Sequence, residues 1–152
     1  MARSYEDLEL DRQLCFALYA ASRAVTRAYA PLLDEAGITY PQYVTLLALW
    51  EHPDEPMTVG GLGNRLRLDS GTLTPLLKRL EALGHVRRTR DQRDERRVLV
   101  ELTDQGLALR DRLASMPAAL VRASGLDRAE VTDLRQRLVD LIGHLDAAPP
   151  VT

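Results

Sequence analysis

The stretch from Thr58 to Leu102 constrains this chain most, because its residue types dictate a helix, a tight turn, a second helix and a hairpin in that order. Thr58 is placed to cap a short helix through Leu66, with Val59, Leu62 and Leu66 facing inward. Arg67 and Leu68 make the turn. Asp69 is a good N-cap for the next helix, whose Leu73, Leu76, Leu77 and Leu80 form a core stripe before Gly84 stops it. His85–Arg90 and Arg97–Leu102 then alternate and carry β-branched residues around an entirely polar centre, Asp91–Arg96, which reads as a hairpin. A helix-turn-helix with a basic hairpin behind it is a winged helix-turn-helix.

Two features resist this reading locally. Gly60, Gly61 and Gly63 each cost ~1 kcal/mol relative to Ala inside a helix, so tertiary packing must hold the first helix in place. Pro75 removes one backbone hydrogen bond if the second helix begins at Ser70; either the helix bends there, or regular structure begins nearer Thr72 with Pro75 in its first turn. A phosphate-cradling loop is excluded, because G-x-G-x-x-G from Gly61 needs glycine where Leu66 stands and no G-K-S/T follows.

The net charge of −2 conceals an uneven distribution. Residues 58–97 hold 10 Lys plus Arg against 5 acids, whereas residues 1–57 hold 4 against 9 and residues 98–152 hold 6 against 8. The middle third is therefore the candidate face for an anionic partner, although charge alone fits a solvated surface better. With the leucines of the second helix inward, 100° steps put Gly71, Pro75, Lys78 and Ala82 at the outward pole and Thr72, Thr74 and Arg79 on its flanks. Small residues let the backbone approach base edges; Ser70, Thr72, Thr74 and Pro75 are candidate contacts there, and Lys78 and Arg79 suit phosphate or guanine. Arg93 and Arg96 lie near the hairpin tip, where a narrow minor groove attracts arginine. Each arginine alone is more often a solvated side chain than a DNA contact. The ordered combination is the DNA-binding footprint.

The flanks read as helices. Ser4 with Asp7 starts a long one, which Gly37 stops. Leu14, Leu18, Ala21, Val25, Ala28 and Leu32 repeat along it as an apolar seam, and beside them Cys15, Tyr19, Ser22, Thr26 and Tyr29 form a second stripe of one thiol and four hydroxyls. Thr39 and Gln42 form a capping box around Pro41 for a helix whose Tyr43, Leu46, Leu47 and Trp50 are its buried face. His52–Pro56 is a loop. Thr103 and Asp104 cap a helix interrupted near Met116–Pro117, and Asp127 with Glu130 opens a last one striped by Val131, Leu134, Leu138, Leu141 and Leu145.

At 152 residues the chain is long enough for one compact domain without metal or disulfide staples. No transmembrane segment or signal peptide is expected, and a single cysteine suits a cytoplasmic protein. His52, His85, His144 and Cys15 are scattered without ligand spacing, so no metal and no cofactor are expected.

The runs Leu68–Glu81, Asp94–Val98 and Leu102–Gly106 resemble the MarR family of winged-helix repressors. With Gln13–Tyr19 and Thr39–Tyr43 they resemble its organic hydroperoxide sensor (OhrR) branch, over about residues 8–115, and the chain has the single cysteine of the one-cysteine type. The glycines at 60, 61 and 63 depart from the charged helix formers that are commoner there. The resemblance implies a mainly α chain with a small β-hairpin wing: an N-terminal dimerisation helix carrying the sensor (1–38), the winged helix-turn-helix (39–103) and C-terminal dimerisation helices (104–152). It implies Cys15 as the peroxidatic residue, supported by Tyr29 and Tyr19 from the other subunit and by Tyr40.

Helical geometry bears on that arrangement. Cys15 and Tyr29 are 14 residues apart, or ~21 Å along one helix, so one chain cannot bring them together within this helix, whereas an antiparallel partner helix related by a two-fold axis could. The expected function is a homodimeric repressor of palindromic DNA, released when an organic hydroperoxide oxidises Cys15 to a sulfenic acid, which a low-molecular-weight thiol, a backbone amide or further peroxide then carries onward. The alternative is a repressor released by a phenolic or aromatic-acid ligand, with Cys15 structural. A thiol peroxidase fits less well, since no T-x-x-C motif surrounds Cys15 and no arginine flanks it as a clear activator; no enzymatic activity is expected.

Overall fold

The computed structural model describes residues 5–149, and it divides into two compact units, one running to Ala114 and one starting at Ser115. The first unit opens with two short 3-10 turns, Glu6–Leu8 and Leu10–Arg12. Helix α1, Leu14–Ala36, follows with Gln13 at its N-cap. The helix start expected at Ser4 and Asp7 is therefore corrected: Asp7 sits in a 3-10 turn and Ser4 lies outside the described residues. Gln13 stabilises the junction by donating through its side chain to the carbonyls of Asp7 and Glu9. Gly37 ends α1 in the left-handed region, with φ +72°, as its sequence position requires.

Helix α2, Tyr40–Trp50, carries the expected capping box between Thr39 and Gln42. Tyr43, Leu46 and Leu49 are buried, whereas Leu47 is 40% exposed and leaves the inward set assigned to it. A two-residue strand β1, Met57–Thr58, comes next and was not legible as a strand, because two residues show no alternation. Thr58 also caps helix α3, Val59–Leu66, by accepting from the Gly61 N–H. Of the three apolar residues expected inward on α3, Leu62 is fully buried and Val59 and Leu66 are half-buried.

The turn into helix α4, Ser70–Ala82, explains one of the costly glycines. Arg67 is left-handed at φ +57°, the Leu68 N–H donates to the Gly63 carbonyl at 2.9 Å, and a Cβ on Gly63 would lie 2.9 Å from the Leu68 carbonyl. The tight turn needs that position bare. Asp69 caps α4, whose Leu73, Leu77 and Leu80 are buried. Pro75 stands in the second turn of a helix that does begin at Ser70, so the Gly71 carbonyl has no N–H from residue 75.

Strands β2, Val86–Arg90, and β3, Val98–Leu102, pair antiparallel from Val86 opposite Leu102 to Arg90 opposite Val98. β1 adds to the other side of β3, giving the order β1-β3-β2. Helix α5, Asp104–Leu113, packs back with Thr103 as its cap. Leu46, Leu62, Leu73, Leu77, Leu80, Val86, Val100 and Leu109 form the centre of this unit. The second unit holds α6, Met116–Ser124, and α7, Arg128–Ala147, the latter opened by the expected Asp127–Glu130 capping box. No described residue of α7 is buried, and Leu145 is 60% exposed. Of its apolar stripe, Leu134 and Leu145 are exposed while Val131, Leu138 and Leu141 are half-buried.

Candidate DNA interface and redox sensor

The outward face of α4 is built as its periodicity demands. Ser70, Gly71, Thr72, Pro75, Lys78, Arg79 and Ala82 are exposed and Thr74 is half-buried. Asp69 shapes the start of this face: its carboxylate accepts from the Thr72 N–H at 2.9 Å and from the Thr72 hydroxyl at 3.0 Å. Those bonds hold the Asp69 carboxyl below its usual range. They also occupy the hydroxyl hydrogen of the exposed Thr72, whose oxygen can still accept.

The wing tip is folded by two aspartates. Asp91 Oδ1 accepts from the Arg93 N–H at 2.9 Å and Asp94 Oδ1 from the Arg96 N–H at 3.1 Å. These are local side-chain turns that fix the backbone while the arginine side chains project. Several other basic residues of the 58–97 segment are already engaged. Arg65 pairs with Glu51 at 2.6 Å, Arg87 with Glu101 at 2.6 Å, Arg88 with Glu81 at 2.6 Å and Arg97 with Asp91 at 4.0 Å. Glu81 ties α4 to β2, since it also accepts from the Arg88 N–H at 2.9 Å, and its carboxyl is held below the ordinary range chiefly by the Arg88 guanidinium.

Among the described residues, Lys78, Arg79, Arg90, Arg93 and Arg96 make no ion pair. Four of the five were expected on the DNA face. Arg90 was not singled out, although the two-residue period of β2 turns it to the same side of the strand as Arg88. A cavity of about 460 Å³ opens beside this surface, lined by Thr58, Thr74, Leu77, Arg88, Arg96 and Arg97 among others.

The residues expected to form the sensor divide between the two ends of α1. Cys15 is exposed in the first turn and Tyr19, 59% exposed, follows one turn later. Tyr29 is buried, stacked on Tyr40 of α2 with ring centroids 5.7 Å apart and an interplanar angle of 17°. Tyr43 lies 5.7 Å from Tyr29 and meets Trp50 edge-on at 6.3 Å. The chain thus brings Tyr29 and Tyr40 together and leaves Cys15 on the far part of the helix. Burial, with Tyr40 adding to it, pushes the Tyr29 phenol up, so it stays protonated and able to donate. Burial, with Tyr29 and then Tyr40 adding to it, pushes Tyr43 up to about 12.

Trp50 connects this cluster to the DNA-binding elements. Its Nε1–H donates to the Gly106 carbonyl at 3.0 Å. Gly106 in turn lies against the His85 carbonyl, which a Cβ at that position would approach to 2.1 Å. His85, at the head of β2, is 6% exposed and its Nδ1 has no partner among the described residues. Desolvation first and Arg112 second push its imidazolium down, so it is held neutral.

The sequence profile of the SarA/Rot transcriptional regulators matches residues 27–113. The organic hydroperoxide resistance transcriptional regulator of Bacillus subtilis is 47% identical over 136 residues, 90% of this chain and 89% of that protein. The HTH-type transcriptional regulator TtmR of Methylorubrum extorquens is 50% identical over 138 residues, 91% of this chain and 70% of that one. Among solved structures, AbfR of Staphylococcus epidermidis superposes with a TM-score of 0.74 at 36% identity, covering 94% of this chain and 97% of AbfR. Reduced AbfR bound to DNA superposes with a TM-score of 0.67 at 38% identity, covering 92% and 96%.

Proposed function

Because the chain belongs to the MarR family of winged-helix regulators, in the organic hydroperoxide sensor branch, we propose that Cys15 is its sensor and that α4 with the wing tip is the surface it lays on DNA. The protein is a DNA-binding transcriptional repressor that acts as a homodimer and responds to organic hydroperoxide through cysteine oxidation. Ser70, Thr72, Thr74 and Pro75 face base edges, Lys78 and Arg79 take phosphate or guanine, and Arg93 and Arg96 enter the minor groove. The two recognition helices of a dimer stand about one DNA turn apart, ~34 to 36 Å, and read a palindrome. No helix among the described residues is long and apolar enough to cross a membrane; the assigned compartment is the cytoplasm, where one unpaired cysteine stays reduced.

The single observation that carries the sensor assignment is the exposed thiol of Cys15 on a face of α1 that the chain itself leaves uncovered. An antiparallel second chain brings the buried-end Tyr29, stacked on Tyr40, to this thiol, and Tyr19 lies alongside. A tyrosine O–H donated to sulfur favours the thiolate. The thiolate attacks the terminal oxygen of the hydroperoxide and the O–O bond breaks. Sulfur loses two electrons and becomes a sulfenic acid; the departing alkoxide takes a proton and leaves as an alcohol. A small thiol then condenses with the sulfenic acid to a mixed disulfide and water. The oxidised sulfur no longer accepts the tyrosine bonds and needs more room, so the dimer helices shift and the recognition-helix spacing is lost.

The test is a gel shift on a palindromic operator with and without cumene hydroperoxide, followed by intact mass of the protein. Cys15→Ser keeps operator affinity and ignores peroxide. Release of that variant by peroxide would remove Cys15 from the scheme.

A further inference from the structure

Cys15, Tyr19 and Arg23 stand at successive four-residue steps on α1 and therefore share one face over ~12 Å of helix. Arg23 belongs to neither stripe of the sequence pattern, yet it makes the one side-chain hydrogen bond of Tyr19 among the described residues. Its Nη1 donates to the Tyr19 hydroxyl oxygen at 3.2 Å, and its guanidinium carbon lies 5.5 Å from the Tyr19 ring centroid. That places the cation within the range of a ring-face contact as well as a hydrogen bond.

The surroundings leave the charge committed to the phenol. From Leu14 to Leu33 the helix holds no aspartate or glutamate, so no carboxylate one turn away on α1 competes for Arg23. A guanidinium can only donate. It therefore fills an acceptor position on the phenol oxygen and leaves the hydroxyl hydrogen for another acceptor. A hydrogen bond received from a cation also strengthens the phenol as a donor, since bonded groups polarise one another and charge-assisted bonds are roughly twice as strong as neutral ones. Without Arg23 the exposed Tyr19 hydroxyl rotates freely and meets water.

We propose that Arg23 is a positioning residue of the sensor: it locks and polarises the Tyr19 hydroxyl so that its hydrogen is presented to a Cys15 sulfur. The inference rests on Cys15 being the oxidised residue. Arg23 reaches no sulfur and no peroxide itself; it acts through Tyr19, at two helical turns from the thiol of its own chain.

The experiment is the rate of oxidation of full-length reduced protein by cumene hydroperoxide, followed as loss of free thiol, in a double-mutant cycle. Arg23→Met removes the donors and the charge while keeping a good helix former. It is expected to slow oxidation roughly three- to tenfold, with operator affinity of the reduced protein unchanged. Arg23→Lys, which restores a cationic donor, recovers most of the rate. Tyr19→Phe slows oxidation to a similar extent, and adding Arg23→Met to it produces no further loss, because the pair then lacks the hydroxyl through which Arg23 works. The proposal is overturned if Arg23→Met leaves the rate unchanged, or if it slows the Tyr19→Phe protein as much as the parent, which would make Arg23 an independent surface charge. Failure of the parent protein to lose its thiol at all is a different result, and it defeats the sensor assignment itself.

Discussion

The meeting of α5 with the start of the wing can be probed at one atom. Gly106 has no Cβ, and one built there would lie 2.1 Å from the His85 carbonyl oxygen and 3.3 Å from Leu102 Cδ2. In Gly106→Ala either α5 or the His85 peptide must move by roughly 1 Å, and overpacking of this kind costs about 1–3 kcal/mol. The same movement weakens the Thr103 N–H to His85 carbonyl bond, 3.1 Å long, and the Trp50 to Gly106 bond. At about 1 kcal/mol each, less about 1 kcal/mol of improved helix propensity, the net loss is about 3 kcal/mol. For a chain of this size that is a fall in Tm of about 6–12 °C. Thermal unfolding by circular dichroism, at one fixed protein concentration because the dimer makes Tm concentration-dependent, reads it directly. Gly60→Ala is the control: its added methyl meets nothing within 4 Å, so the same chemical change there leaves Tm equal or raised by about 1–3 °C. A Gly106→Ala protein melting within about 2 °C of the parent would refute the close approach and the junction built on it.

Tyr29→Phe keeps the stacked ring on Tyr40 and removes only the hydroxyl, so oxidation of Cys15 slows while operator affinity of the reduced protein stays nearly the same; an unaltered oxidation rate removes Tyr29 from the sensor. His85 is neutral in the fold, with its folded pKa below the unfolded value, so the unfolded chain binds more protons in acid. Its contribution to stability is complete above about pH 6.5 and is lost as pH falls through that value toward the folded pKa; pH-dependent unfolding shows the slope, and His85→Gln flattens it. Lys78→Ala weakens operator and nonspecific DNA alike and lowers the slope of log affinity against log salt by about one. An unchanged slope places Lys78 away from phosphate.

Much of the DNA-binding half was legible because its signals are local. Asp69 and Thr103 each cap their own helix, and the alternation around Asp91–Arg96 gives a hairpin without knowledge of its neighbours. What escaped depends on distant backbone. Gly63 reads as a helix weakness until the Leu68 carbonyl is seen 2.9 Å from its missing Cβ, and β1 exists only because Met57 and Thr58 lie beside Val100 and Leu99. Ion pairing was equally out of reach: the sequence counts ten basic residues in 58–97, but the partners of Arg65, Arg87 and Arg88 come from Glu51, Glu101 and Glu81 on other elements.

The two stripes of α1 look equivalent in sequence and are used differently at the two ends of the helix. Toward the C-terminal end Tyr29 and Leu33 are buried against their own chain, whereas at the other Leu14, Cys15 and Tyr19 stay exposed. Periodicity cannot separate these uses, since the spacing is the same along both halves. The consequence is mechanical. One helix presents the Cys15 thiol outside the fold and roots its far end in Tyr40 and Tyr43, from which Trp50 and its bond to Gly106 continue to the wing junction. Aromatic pairs of this kind hold about 0.5–1.5 kcal/mol each beyond area burial. That matches the 1–3 kcal/mol by which regulated sites are typically coupled, so on our proposal that Cys15 is the sensor, a change at the thiol that disturbed a few such contacts would alter the DNA-reading geometry.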